Sequence, residues 1–192
     1  MKTKTPLPEN SCSKKFITER VDKMELSEAL LKRRSVRKFT AEPVSEENVL
    51  ELLHSGMSGP SACNKTPWEF FVVTKPEVLE KLRKSARYSK IEAPLAIVVC
   101  GNLSKALSSR LSPFWIQDCS AATENILLRA TDLELGAVWC GIHPMKTAEK
   151  NVREALSLPE KFIPLNIIYI GHPSEEPEAR DQFNKEKVHY IK

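Results

Sequence analysis

"WIQDCSAATENILLRATDLELGAVWCGI", Trp115–Ile142, carries the two periodicities on which the fold reading turns. Trp115, Cys119, Ala122, Ile126 and Ala130 recur at spacings of three and four, which puts them on one face of a helix over about Pro113–Leu133. Ala121, Leu127 and Leu128 widen that stripe beyond what a single sheet contact needs. A central helix is expected, with surface to spare for a subunit contact. "GAVWCGI", Gly136–Ile142, then reads as a strand.

Working outward, "LNIIYIG" (Leu165–Gly171) and "LAIVVCG" (Leu95–Gly101) are continuous apolar runs, the pattern of strands covered on both faces. "WEFFVV", Trp68–Val73, is a further strand. Helices are expected over about Lys23–Lys32 with Met24, Ala29 and Leu30 inward, and from the N-cap Ser45 to Met57 on a Val49, Leu52, Leu53, Met57 stripe. A capping box at Thr74–Glu77 should open another, to about Ala86, and a short one covers Thr147–Leu156. Covered strands alternating with helices give a three-layer α/β or α+β domain over residues 21–192. Residues 1–20 read as a polar, Lys-rich tail, and Val188–Ile191 as an extended C-terminal one.

The 192 residues suffice for one well-buried domain. No apolar run approaches the roughly 20 residues that span a bilayer, and the N-terminus lacks the apolar core of a signal peptide. Five scattered cysteines, odd in number and without C-x-x-C, fit a cytoplasmic protein, with Cys100 and Cys119 as core residues. Four histidines and no His/Cys cluster argue against a metal site. The net charge of +4 is local: residues 1–38 carry eleven Lys/Arg against five Asp/Glu, a balance of +6 that leaves about −2 elsewhere. That distribution disfavours a protein-wide nucleic-acid surface. The six glycines form neither G-x-G-x-x-G nor a P-loop.

Three short stretches can carry chemistry. "KRRSVRK", Lys32–Lys38, places five cations in seven positions at a helix end. Cations there are favoured by the macrodipole and need no ligand. Alternatively, Arg33, Arg34, Ser35 and Arg37 converge from helix and exit strand on one compact dianion, which arginine forks match bidentately. "GPSACNKTP", Gly59–Pro67, offers Ser61 and Asn64 either as turn residues or as ligand contacts. Cys63 has no nearby histidine to make it a nucleophile. "VWCGI", Val138–Ile142, ends a strand on a glycine, with Trp139 as core aromatic or pocket wall.

Taken in order, "RRSVRKF", "GPSACNKTPWEFFVV", "WIQDCSAATENILLRATDLELGAVWCGI" and "IIYIGHPSEEPEARDQF…KVHY" resemble the FMN-dependent nitroreductase family over about Leu26–Tyr190. The resemblance implies a homodimeric α+β sandwich, three layers deep, with a mixed, mainly antiparallel sheet and FMN at the subunit interface. It implies that Arg33, Arg34 and Ser35 bind the ribityl phosphate, and that Arg37 lies by the pyrimidine edge of the isoalloxazine. Pro60, Ser61, Ala62 and Asn64 would come from the other subunit. The backbone of Cys140 and Gly141 would face flavin N5 and O4, with Trp139 and Ile142 shaping the pocket. Relatives often close the phosphate site with K-x-R; here Arg180 keeps the first cation and Gln182 replaces the second, with Lys187 as a possible substitute.

The implied activity is transfer of hydride from NADH or NADPH to a nitroaromatic, quinone or similar acceptor in a ping-pong order, with no side-chain acid or base assigned and no metal. A specialised member (dehalogenase, enoyl reductase or flavin-consuming enzyme) would need a lid, for which Leu103–Ser112 is the available segment. A basic polyanion-binding module is the reading from a different class.

Overall fold

The computed structural model describes residues 24–175 and 178–192, so the polar tail expected over residues 1–20 lies outside the described residues. Four strands, β1 (Trp68–Val73), β2 (Leu95–Asn102), β3 (Gly136–Gly141) and β4 (Phe162–Gly171), form one antiparallel sheet in the order β1-β2-β4-β3. Its parallel component is an isolated bridge from Ser35 to Ala137. The continuous apolar runs are buried on both faces, as read. Ile97, Val99, Ile168 and Ile170 point into one core layer, and Ala96, Val98, Ile167 and Tyr169 into the other. Helices α2 (Glu46–Met57) and α4 (Phe114–Asp132) cover the first face, with α1 (Leu26–Lys32) beside α4. Helices α3 (Pro76–Arg83) and α5 (Lys146–Leu156) cover the second.

The central helix is the one expected, with Trp115, Cys119, Ala122, Ile126 and Ala130 all buried. Ser45 caps α2, its hydroxyl accepting the Asn48 N–H at 3.2 Å. Several details differ. The Thr74 capping box does not form: Lys75 is the N-cap, Pro76 takes the first helical position, and α3 stops at Arg83. Proline at the first turn fixes the helical φ without a side-chain acceptor. β4 begins three residues earlier than the sequence suggests, because the register shift between Val99 and Cys100 accommodates Pro164 within the ladder. Val188–Ile191 forms no strand and follows a 3-10 turn at Lys185–Lys187.

Leu30 and Met57, expected inward, are each 55% exposed. Both helices are short of partners on those sides: Leu26 and Leu31 on α1 and Leu50 on α2 are exposed as well. Periodicity identifies an apolar face, but not whether its cover comes from the same chain.

Candidate functional site

The basic stretch is held against β3, an edge strand of the sheet. α1 ends at Lys32, and Arg33 leaves it with φ −54° and ψ 123°. The Val36 N–H then donates to the Ala137 carbonyl at 3.0 Å. Val36 is buried directly on Gly136, where a Cβ would lie 2.7 Å from its side chain. Only a glycine permits that approach, and the contact fixes the register of residues 35–37 alongside β3. Ser35 and Arg37 therefore face outward and are exposed. Arg37 donates from Nη1 to the Ser35 carbonyl at 3.1 Å. Its charge reaches the Cys140 thiol one position from the exposed Gly141.

Arg33 and Arg34 do not converge within one chain. Arg33 turns to α4, with Nε 3.5 Å from Glu124 Oε1. Arg34 turns the other way, donating from Nε to the Glu178 carbonyl at 3.0 Å and from Nη1 to the Arg33 carbonyl at 2.7 Å. Its Nη2 is buried and has no partner among the described residues. Alternation along an extended segment separates neighbours, so adjacent arginines cannot share a side as they could on a helix. Lys32 pairs with Glu28 and Lys38 with Glu175, both on the surface.

The loop from Gly59 is seated on α4. A Cβ on Gly59 would meet the Ala122 nitrogen at 3.2 Å. The buried Asp118 carboxylate accepts the Ala62 N–H at 2.8 Å, and the Ser61 hydroxyl accepts the Thr66 N–H at 2.9 Å. Cys63, Asn64 and Thr66 adopt φ of 50°, 52° and 42°. Pro60, Cys63 and Asn64 remain exposed, and Ser61 and Ala62 half-buried. Asp118 and Glu124, the anchors for loop and Arg33, stand six residues apart on α4, about 9 Å along its axis.

At the end of β3, Trp139 packs half-buried against the α4-side core, Cys140 is buried on the opposite face, and Gly141 is exposed. A Cβ on Gly141 would meet nothing within 4 Å, so the strand ends beside open space. Arg180 is exposed, and its N–H donates to the Leu31 carbonyl at 3.3 Å, which brings it near the end of α1. Gln182 and Lys187 are exposed.

Some polar groups had no usable signal in the sequence. Asn166 lies fully buried opposite Gly141, donating from Nδ2 to Thr123 Oγ1 at 2.9 Å, while its Oδ1 has no partner among the described residues. His143 Nδ1 lies 2.7 Å from Glu149 Oε1, with its ring edge-on to Trp115 at 5.0 Å. Nothing in "LNIIYIG" or "GIHPM" distinguishes such residues from ordinary loop or core polar groups.

Burial pushes the thiols of Cys140 up to about 11 and of Cys119 up to about 12, and that of Cys100 higher still. At pH 8 all three should resist a maleimide until the protein unfolds, because the thiolate is the reactive form. Unfolded thiols ionise near 9 while the folded ones stay protonated, so stability should fall as the pH rises through that range. Rapid labelling of Cys140 in the folded protein would contradict this burial.

Two grooves lie away from Gly141. One of about 690 Å3 is lined by Lys32, Arg34, Glu134 and Glu175; the other, about 630 Å3, lies between Phe39, Pro76 and Arg83. Among the described residues no group of three or more His, Cys, Asp or Glu could hold a metal, and no helix is long and apolar enough to cross a membrane.

This arrangement matches known proteins. The Nitroreductase family model matches residues 30–96 and 86–172. A Methanothermobacter thermautotrophicus protein, provisionally named NADH dehydrogenase/NAD(P)H nitroreductase, is 41% identical over 178 residues, covering 92% of each chain. The FMN-dependent nitroreductase of Clostridium difficile R20291 superposes with a TM-score of 0.78 at 32% identity, over 85% of this chain and 98% of that one. A Desulfovibrio desulfuricans nitroreductase solved in complex with FMN gives 0.75 at 29% identity, over 89% and 99%.

Proposed function

The chain belongs to the nitroreductase family, and from that premise we propose that it is an NAD(P)H-dependent FMN oxidoreductase working as a homodimer with FMN at the subunit interface. The observation that carries the reading is the alignment of residues 35–37 with β3. It sets Ser35 and Arg37 facing outward along the strand that ends at the open Gly141.

The donor set suits FMN. Arg33 and Ser35, with Arg34 and Arg180, would hold a phosphate dianion through charge-assisted hydrogen bonds. The buried Arg34 Nη2, without an acceptor among the described residues, is a donor that such an anion could satisfy after a side-chain turn. Pro60, Ser61, Ala62 and Asn64 would supply a wall, and Trp139, Cys140 and Gly141 a floor with exposed backbone. The bound FMN would supply hydride transfer, from NADH or NADPH to a nitroaromatic, quinone or similar acceptor in ping-pong order. Arg37 would contribute a fixed positive charge that favours added electron density on the ring. The exposed leucines of α1 and Met57 of α2 support burial against a second copy.

The direct test is to purify the protein, release its flavin by heat and identify it. Steady-state turnover with each nicotinamide nucleotide and a panel of nitro, quinone and enone acceptors follows. A colourless protein that takes up no FMN would overturn the reading. Arg37→Ala should lower the flavin's potential by about 30 mV, the two-electron equivalent of ~1.4 kcal/mol. Redox titration against a reference dye measures this, and an unchanged potential removes the role given to Arg37.

A further inference from the structure

The segment that joins α3 to β2 has features the flavin site does not use. Lys81–Lys90, "KLRKSARYSK", carries five cations and no carboxylate. Glu80 and Glu92 pair with Arg83, and Glu80 also pairs with Lys84 at 2.8 Å. Lys81, Arg87 and Lys90 have no carboxylate partner among the described residues. Arg87 lies over the ring of Tyr88, 5.9 Å from its centroid, and Tyr88 is 72% exposed. An exposed aromatic capped by a guanidinium, with further unpaired cations beside it, is an unusual surface for a solvated turn.

This segment is built, not slack. Ser89 is fully buried, its Oγ accepting the Ala86 N–H at 3.0 Å and reaching the Ala86 carbonyl at 2.8 Å. The Ile91 N–H donates to the Ser89 carbonyl at 2.8 Å, and Asn151 on α5 donates to the Ser85 carbonyl at 3.0 Å. With Ser85, Ser89 and Ile91 buried, Arg87, Tyr88 and Lys90 are held outward. The segment also adjoins the site. The Tyr88 carbonyl is 3.4 Å from Cys140 Sγ, and Cys140 immediately precedes Gly141.

We propose that Arg87, Tyr88 and Lys90 form the docking platform for the adenosine end of the reductant, and that they favour NADPH over NADH by binding its 2′-phosphate. This inference rests on the oxidoreductase reading and adds to it a nucleotide preference and the residues that set it. A dinucleotide whose nicotinamide works beside Gly141 must place its adenosine at the margin of the site. A flat, exposed ring accepts a purine face, and the 2′-phosphate is the one group that distinguishes the two nucleotides. Unpaired Arg and Lys favour the nucleotide that carries it.

The test is calorimetric titration of the FMN-loaded protein with 2′,5′-ADP, with 5′-AMP as control. The parent should bind 2′,5′-ADP more tightly. Arg87→Ala with Lys90→Ala should abolish that difference and lower the ratio of kcat/KM for NADPH over NADH by roughly tenfold, with FMN content unchanged. Tyr88→Ala should weaken both nucleotides together, and Tyr88→Phe should restore them, since stacking needs the ring and not the hydroxyl. Equal binding of the two probes by the parent, or a preserved difference in the double variant, overturns the platform. A protein that takes up no FMN and oxidises neither nucleotide overturns the functional reading, and this inference with it.

Discussion

Arg33→Ala combined with Arg34→Ala should leave the purified protein nearly free of FMN. Each arginine that donates to a phosphate oxygen contributes about 1.5–3 kcal/mol, so the pair accounts for a large share of the affinity. The single variants should not be equal. Among the described residues the Arg33 side chain is held by a 3.5 Å contact to Glu124 and can release it, whereas Arg34 already donates to two carbonyls. Arg33→Ala should therefore carry the greater loss, and Arg34→Ala should also cost some stability through the freed Glu178 and Arg33 carbonyls. FMN titration of the stripped protein, followed by flavin fluorescence, separates the effects. Parental affinity in the double variant would mean that the phosphate lies elsewhere.

The second large effect concerns Trp115. Its indole lies on the bare backbone of β2: a Cβ on Gly101 would stand 2.2 Å from Cε3 and 2.7 Å from Cδ2. Trp115→Ala should destabilise the protein by about 3–5 kcal/mol. Gly101→Ala should cost about 1–3 kcal/mol, because the ring has no room to retreat in a packed core. In the Trp115→Ala background the same methyl enters the cavity, so Gly101→Ala should be near neutral there. Denaturant unfolding of all four proteins measures the coupling. Additive costs would show that ring and glycine do not share this space.

The sequence was most readable where the local pattern and the tertiary packing demand the same thing. The stripe from Trp115 to Ala130 and the runs Leu95–Gly101 and Leu165–Gly171 are apolar because both sheet faces are covered, and each formed the element expected. It was less readable where a residue satisfies a local rule that tertiary structure does not use. Thr74 had the spacing of a capping box, yet the chain enters α3 through Lys75 and Pro76. β4 runs back through Pro164 to Phe162, where its pairing with β2 skips Leu165, a shift that no local pattern announces. Leu30 and Met57 had the right period for burial, yet both are exposed in this chain.

The candidate site divides in the same way. Residue types and order in "RRSVRKF" and "VWCGI" are covalent facts, and they sufficed to indicate the family and which groups to consider for the phosphate and the ring. Their relative placement is not local. Arg33 and Arg34 look equivalent in sequence, but the extended exit from α1 sends one to Glu124 and the other to Glu178. The approach of Tyr88 to Cys140 joins residues 52 positions apart, and the buried Asn166 opposite Gly141 depends on strand pairing. The sequence by itself determined the elements, their two-sided burial and the family, because these follow from periodicity and residue type. Only the tertiary structure decided which side chains share a face and which segment flanks the strand end, because strand register and close glycine contacts join parts of the chain that local pattern cannot relate.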